Sequence, residues 1–108
     1  MKRFLLLILF VLSTQVGAYS EEDLEKLRAT NECEECDLVQ ADLSGANLSE
    51  AKLTRASLSY ANLSGADLSG ADLSRANLFD ANLREANVKG ATFCNTTMPH
   101  GTINNSGC

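Results

Sequence analysis

The sequence predicts an all-β solenoid, a chain wound into a coil whose turns pair through their backbones. Three observations predict it. First, Cys36 to His100 repeats every five residues through thirteen blocks without a slip, a regularity that marks a stacked-repeat architecture. The third residue of each block is Leu38, Leu43, Leu48, Leu53, Leu58, Leu63, Leu68, Leu73, Leu78 and Leu83, then Val88, Phe93 and Met98; the first is Ala from Ala41 to Ala86 and again at Ala91. Second, a period of five suits neither ordinary element. On an α-helix successive leucines would step roughly 140° round the axis and form no stripe. On a flat strand every second leucine would fall on the opposite face. Third, within a block Ala and Leu lie two apart and point one way, while the Asp or Asn between them points the other. All blocks can bury Ala and Leu only if the chain turns a corner once per block. Corners of one hand make a coil, and coils stacked at about 4.8 Å share hydrogen bonds. Spacing alone leaves the number of sides open.

Blocks such as Ala41-Asp42-Leu43-Ser44-Gly45 and Ala46-Asn47-Leu48-Ser49-Glu50 resemble the pentapeptide-repeat family, whose consensus is Ala-(Asp/Asn)-Leu-x-x. The resemblance covers Cys36 to about Phe93. It implies a right-handed quadrilateral parallel β-helix with four blocks to a coil, hence about three coils here, with a short N-terminal capping helix and a C-terminal cap. It implies no particular activity. With four blocks per coil, residues 20 apart stack. The expected core ladder is then Leu38, Leu58, Leu78 and Met98; Leu43, Leu63 and Leu83; Leu48, Leu68 and Val88; and Leu53, Leu73 and Phe93. Ala fills the inward first positions because a square shaft is narrow.

The chain divides in order into residues 1–18, 19–35, 36–100 and 101–108. Lys2 and Arg3, the apolar run Phe4 to Leu12 and the small residues before Ala18 read as a signal peptide cleaved after Ala18. The apolar run is too short to span a bilayer, so the mature chain is expected to be exported, with no membrane attachment. Periplasm or the extracellular space fits, as does the thylakoid lumen if the source is cyanobacterial. Residues 19–35 hold a short capping helix, about Glu21 to Ala29. Ser20 and Asp23 suit a capping box, acids crowd the first turn, and Leu24 and Leu27 share a face that can cover the first coil.

Charge excludes some functions. Loss of Lys2 and Arg3 takes the net charge from −5 to −7, and most of that sits before Cys36. From Cys36 to His100 there are seven acids and five bases. A nucleic-acid binder should be basic, and a DNA mimic that protects DNA gyrase, as some relatives do, should be strongly acidic. On the outward positions, Val39, Tyr60 and Phe79 form a candidate interaction patch for an unknown protein partner.

The four cysteines are Cys33, Cys36, Cys94 and Cys108. An even number in an exported chain favours disulfides. Cys36 and Cys94 are 58 residues apart, nearly three coils or about 14 Å along the axis, whereas bridged Cα atoms lie within about 7 Å. Cys33–Cys36 and Cys94–Cys108 are therefore the favoured pairs, the second tying the tail across the far end. The same separation excludes a four-cysteine zinc site. A redox-sensitive, disulfide-stapled protein is an alternative reading. The ending Phe93-Cys94-Asn95-Thr96-Thr97-Met98-Pro99-His100-Gly101 resembles the C-termini of exported bacterial family members. His100, the only histidine, has no Ser or Cys partner at a recognisable spacing. No catalytic residue, metal ligand or cofactor site is expected, and the oligomeric state is not legible.

Overall fold

The structure is a computed structural model and describes residues 19–108; the leader read from residues 1–18 lies outside the described residues. The chain forms a β-helix type solenoid. Ten parallel bridges join the second residue of one pentapeptide to that of the pentapeptide 20 positions later, from Glu32↔Lys52 to Asn77↔Thr97. The Leu43 N–H donates to the Asn62 carbonyl at 2.8 Å, and the Asn62 N–H donates back to the Ala41 carbonyl at 2.9 Å. The same exchange recurs down the ladder.

Corners recur at every fifth residue. Within one block the Ala46 N–H donates to the Leu43 carbonyl at 3.1 Å, closing a four-residue turn. Its third residue, Gly45, has φ +68°, and the equivalent Gln40, Glu50, Arg55 and Tyr60 lie between +62° and +63°. Positive φ at this place is what a type II turn demands. Glycine fills only some of the corners, so long side chains such as Arg55 and Tyr60 are held in the left-handed region by the ladder on either side.

The outward Asp and Asn brace those corners. The Asp42 Oδ1 accepts from the Ser44 N–H at 3.1 Å and from the Ser44 hydroxyl at 2.7 Å. Asn47 with Ser49, Asn62 with Ser64, Asp67 with Ser69 and Asp72 with Ser74 repeat the pattern. These bonds, the serine hydroxyl first, hold the Asp42, Asp67 and Asp72 carboxyls below their ordinary value of 3.8. A depressed folded pKa adds stability that is complete above the unfolded value and lost as pH falls through the folded value. Acid titration followed by circular dichroism should therefore show stability falling below about pH 4. The loss should be smaller in a Ser44→Ala/Ser69→Ala/Ser74→Ala variant, which lacks the hydroxyl donors.

The core runs up the axis. Leu38, Leu53, Leu58, Leu63, Leu68, Leu73 and Leu78 are fully buried, Leu43 and Leu48 nearly so, with Ala41, Ala51, Ala56, Ala61, Ala66, Ala71 and Ala76 between them. The last coil departs from the expected ladder. Val88 is 38% exposed, and Leu83 and Phe93 are only partly buried. The reason is the path of the tail. It does not continue round as another coil beneath residues 81–90 but doubles back.

Helix α1 spans Glu21–Thr30, one residue beyond Ala29. Leu24 and Leu27 are buried in the core cluster. The capping box is half formed. The Ser20 hydroxyl oxygen accepts from the Asp23 N–H at 3.2 Å, but the Asp23 carboxylate turns away and accepts the Asp37 N–H at 2.8 Å. That bond, with Ser20 N–H to the Asp37 carbonyl at 3.0 Å, ties the helix start to the open edge of the first coil. Asn31 ends the helix in the left-handed region at φ +63°. Its amide donates to the Ser49 carbonyl at 2.8 Å, and its own carbonyl accepts from Lys52 at 2.9 Å. The ladder therefore begins at Asn31, one pentapeptide before Cys36. The earlier block hides from sequence inspection because Asn31 and Cys33 occupy its Ala and Leu positions.

At the other end β1, Thr96–Thr97, pairs antiparallel with β2, Ile103–Asn104. Pro99 and Gly101 sit in the connection, which the Gly101 N–H to Met98 carbonyl bond closes at 2.8 Å. Thr96 is buried at an inward position usually held by Ala, and its hydroxyl donates to the Leu73 carbonyl at 2.7 Å. That bond makes a polar group tolerable inside the shaft.

Candidate functional site

The 20-residue register sorts the pentapeptides into columns. The first column holds those beginning at Cys36, Ala56, Ala76 and Thr96. Its outward positions carry the residues singled out from the sequence. Tyr60 is 52% exposed and Phe79 is 42% exposed. Their rings meet edge to face, with centroids 5.8 Å apart and planes at 84°, an arrangement the ring quadrupoles favour. The backbone fixes both. Tyr60 is a corner residue whose N–H donates to the Phe79 carbonyl at 2.9 Å, and the Phe79 N–H donates to the Asn77 Oδ1 at 3.0 Å. Val39 shares the column but is half-buried.

A further apolar residue joins this face. Ile103 is 52% exposed and lies opposite Thr97 in the β1–β2 pair. Directly opposed residues project on the same side, and Thr97 continues the outward row of Ser57 and Asn77. Ile103 thus lies at the far end of the same column, next to Thr97 and in line with Ser57 and Asn77. Gly101 lies against Phe79, where an added Cβ would stand 3.6 Å from the ring. The signal for Ile103 was the Pro99–Gly101 turn: a reversal there carries the tail back along Thr97.

Elsewhere the surface offers less. A groove of about 460 Å³ lies between the second half of α1 and the edge of the first coil, lined by Leu27, Arg28, Asn31, Asp42, Leu48 and Ser49 among others. Among the described residues, no group of three His, Cys, Asp or Glu side chains could hold a metal ion. None of the helices described is long and apolar enough to cross a membrane.

The cysteines pair as Cys33–Cys36, with Cα atoms 5.3 Å apart, and Cys94–Cys108, at 4.8 Å. Cys33 takes the inward third position of the first block and Cys36 the inward first position of the next, and both are buried beneath α1 with Leu24 and Leu27.

Residues 36–75, 61–98 and 76–105 match the Pentapeptide repeats family, eight copies in all. Among solved structures the chain is similar to HetL, a pentapeptide repeat protein involved in heterocyst differentiation regulation from the cyanobacterium Nostoc sp. strain PCC 7120. That match is 34% identical over 68% of this chain and 43% of that one, with a TM-score of 0.43. A pentapeptide repeat protein from the Arabidopsis thaliana thylakoid lumen is 38% identical over 55% of this chain and 48% of its own, at a TM-score of 0.34. Rfr23 from the cyanobacterium Cyanothece 51142 is 38% identical over 62% and 40%, at 0.32. The chain spans less than half the length of each of these three. No curated protein matches it. The repeat that fills most of its length places this chain in the pentapeptide-repeat family.

Proposed function

We propose that the mature chain is an exported, non-enzymatic scaffold that presents its first column to a protein partner. One observation carries the reading. Tyr60 and Phe79 stand half-exposed and interlocked at outward positions that elsewhere hold mainly Ser, Gly or charged residues. Aromatic anchors on a rigid support are the usual centres of protein-binding energy. The ladder already fixes the backbone beneath them, so little ordering is lost on binding.

Export is supported by the leader pattern of residues 1–18 and by cysteines that are all paired. Right-handed winding with a square section belongs to the same reading, supported by four corners in each 20-residue repeat. The near balance of charge over residues 36–100 favours a protein partner over nucleic acid or a DNA-mimic role.

The test places a photo-crosslinking residue at Ser59, beside the aromatic pair, and exposes the protein to an envelope extract of its host. A defined partner should be captured. The exposed double change Tyr60→Ala/Phe79→Ala should leave the circular dichroism spectrum intact while capture falls by about tenfold or more. Equal capture by the double variant would overturn the assignment of this column.

A further inference from the structure

The two disulfides occupy opposite environments. Cys33 is fully buried, with its Sγ 3.2 Å from the Asp23 carbonyl of α1, and Cys36 is 3% exposed. Cys94 is half-buried, and Cys108 is exposed. Thiol–disulfide exchange requires a thiolate to reach a sulfur directly, which the first bridge does not permit without unfolding of the cap. The second bridge does.

The tail it holds has little other anchorage. Of residues 101–108 only Asn104 is half-buried, and the rest are exposed. Apart from Gly101 against the Phe79 ring, the contacts are hydrogen bonds at the surface. Met98 N–H donates to the Thr102 carbonyl at 2.8 Å, Asn95 N–H to the Asn105 Oδ1 at 2.7 Å, and Gly107 N–H to the Phe93 carbonyl at 2.7 Å. Each such bond contributes modestly when water competes, and a two-stranded pair is marginal by itself. The bridge across 14 positions supplies the constraint that keeps these groups together.

We propose that Cys94–Cys108 is a site of thiol–disulfide exchange for a dithiol reductase, and that its opening releases residues 101–108 while Cys33–Cys36 stays closed. A reductase thiolate attacks the exposed Cys108 sulfur, forming a mixed disulfide and expelling Cys94 as a thiolate that takes up a proton. The second reductase thiol, on losing its proton, attacks the mixed disulfide. Cys108 leaves as a thiol and the reductase is left oxidised. Two electrons and two protons pass to the protein. Release frees the Phe93 carbonyl and the outer edge of Thr96–Met98. It also withdraws Ile103 from the first column, a consequence that matters for binding only if the docking reading holds. The release itself does not depend on that reading.

Dithiothreitol serves as the dithiol probe. The folded protein is treated with it, alkylated with iodoacetamide under native conditions, and followed by mass spectrometry and amide hydrogen exchange. Cys94 and Cys108 should be labelled at least about tenfold faster than Cys33 and Cys36, and the Asn95, Met98 and Gly107 amides should lose protection while Leu58, Leu63 and Leu68 keep theirs. Labelling of all four cysteines at one rate would overturn the proposal. So would an open bridge with the Gly107 and Met98 amides still protected. The double change Cys94→Ser/Cys108→Ser should reproduce the unprotected tail without reductant; a tail still protected in that variant contradicts the release.

Discussion

Leu63→Ala is expected to cost about 3 kcal/mol, a large share of the 5–15 kcal/mol that holds a small domain folded. Leu63 is fully buried. Its neighbours 20 residues away, Leu43 and Leu83, belong to rungs whose backbones it bonds or adjoins: the Asn62 N–H donates to Ala41, and the Leu63 N–H to Asn82 at 2.8 Å. Rungs tied this closely cannot collapse to fill a cavity, so both the lost transfer energy and the cavity are felt. Leu83→Ala should cost about half as much, because Leu83 is only partly buried at the open last coil. Urea denaturation of the two variants measures the difference. Equal losses would mean that the last coil is as closed as the middle one.

Leu27→Asp is expected to be worse. Leu27 is 2% exposed between α1 and the first coil. A carboxylate there has no cationic partner inside the cluster, and an unpaired buried charge costs several kcal/mol. The helix should lift, and with it the Ser20 and Asp23 bonds to Asp37. The first coil would then lose its roof, and thermal melting should fall by well over ten degrees, at roughly 4–8 °C per kcal/mol. Ala29→Asp on the exposed side of the same helix is the control and should shift stability by about 0.5 kcal/mol or less.

The middle of the molecule was readable from the sequence because every block there states its role twice, with Ala and Leu inward and Asp or Asn between. The bonds from Asp42 to Ser44 and from Asn62 to Ser64 show why the outward residue is so restricted: its oxygen must reach two donors in the corner. The ends were less readable because they break that code for local reasons. The Asn31–Glu35 block carries a cysteine where leucine stands elsewhere, since Cys33 must reach Cys36. Asp23 fits a capping box by spacing, yet the unpaired Asp37 N–H of the first coil is the better use of its carboxylate. Val88 continues the Leu48–Leu68 column in sequence, but no coil lies beneath it, so its position in the period gave the wrong burial. Ile103 lies beyond the thirteen blocks read from the sequence, and only the reversal after Met98 brings it to the first column.

Methyl-resolved nuclear Overhauser measurements on leucine-labelled protein test the winding most directly. The 20-residue register predicts that the Leu63 methyl groups show cross-peaks to both Leu43 and Leu83. Cross-peaks confined to Leu58 and Leu68, or Leu63 methyl groups in contact with water, would contradict it.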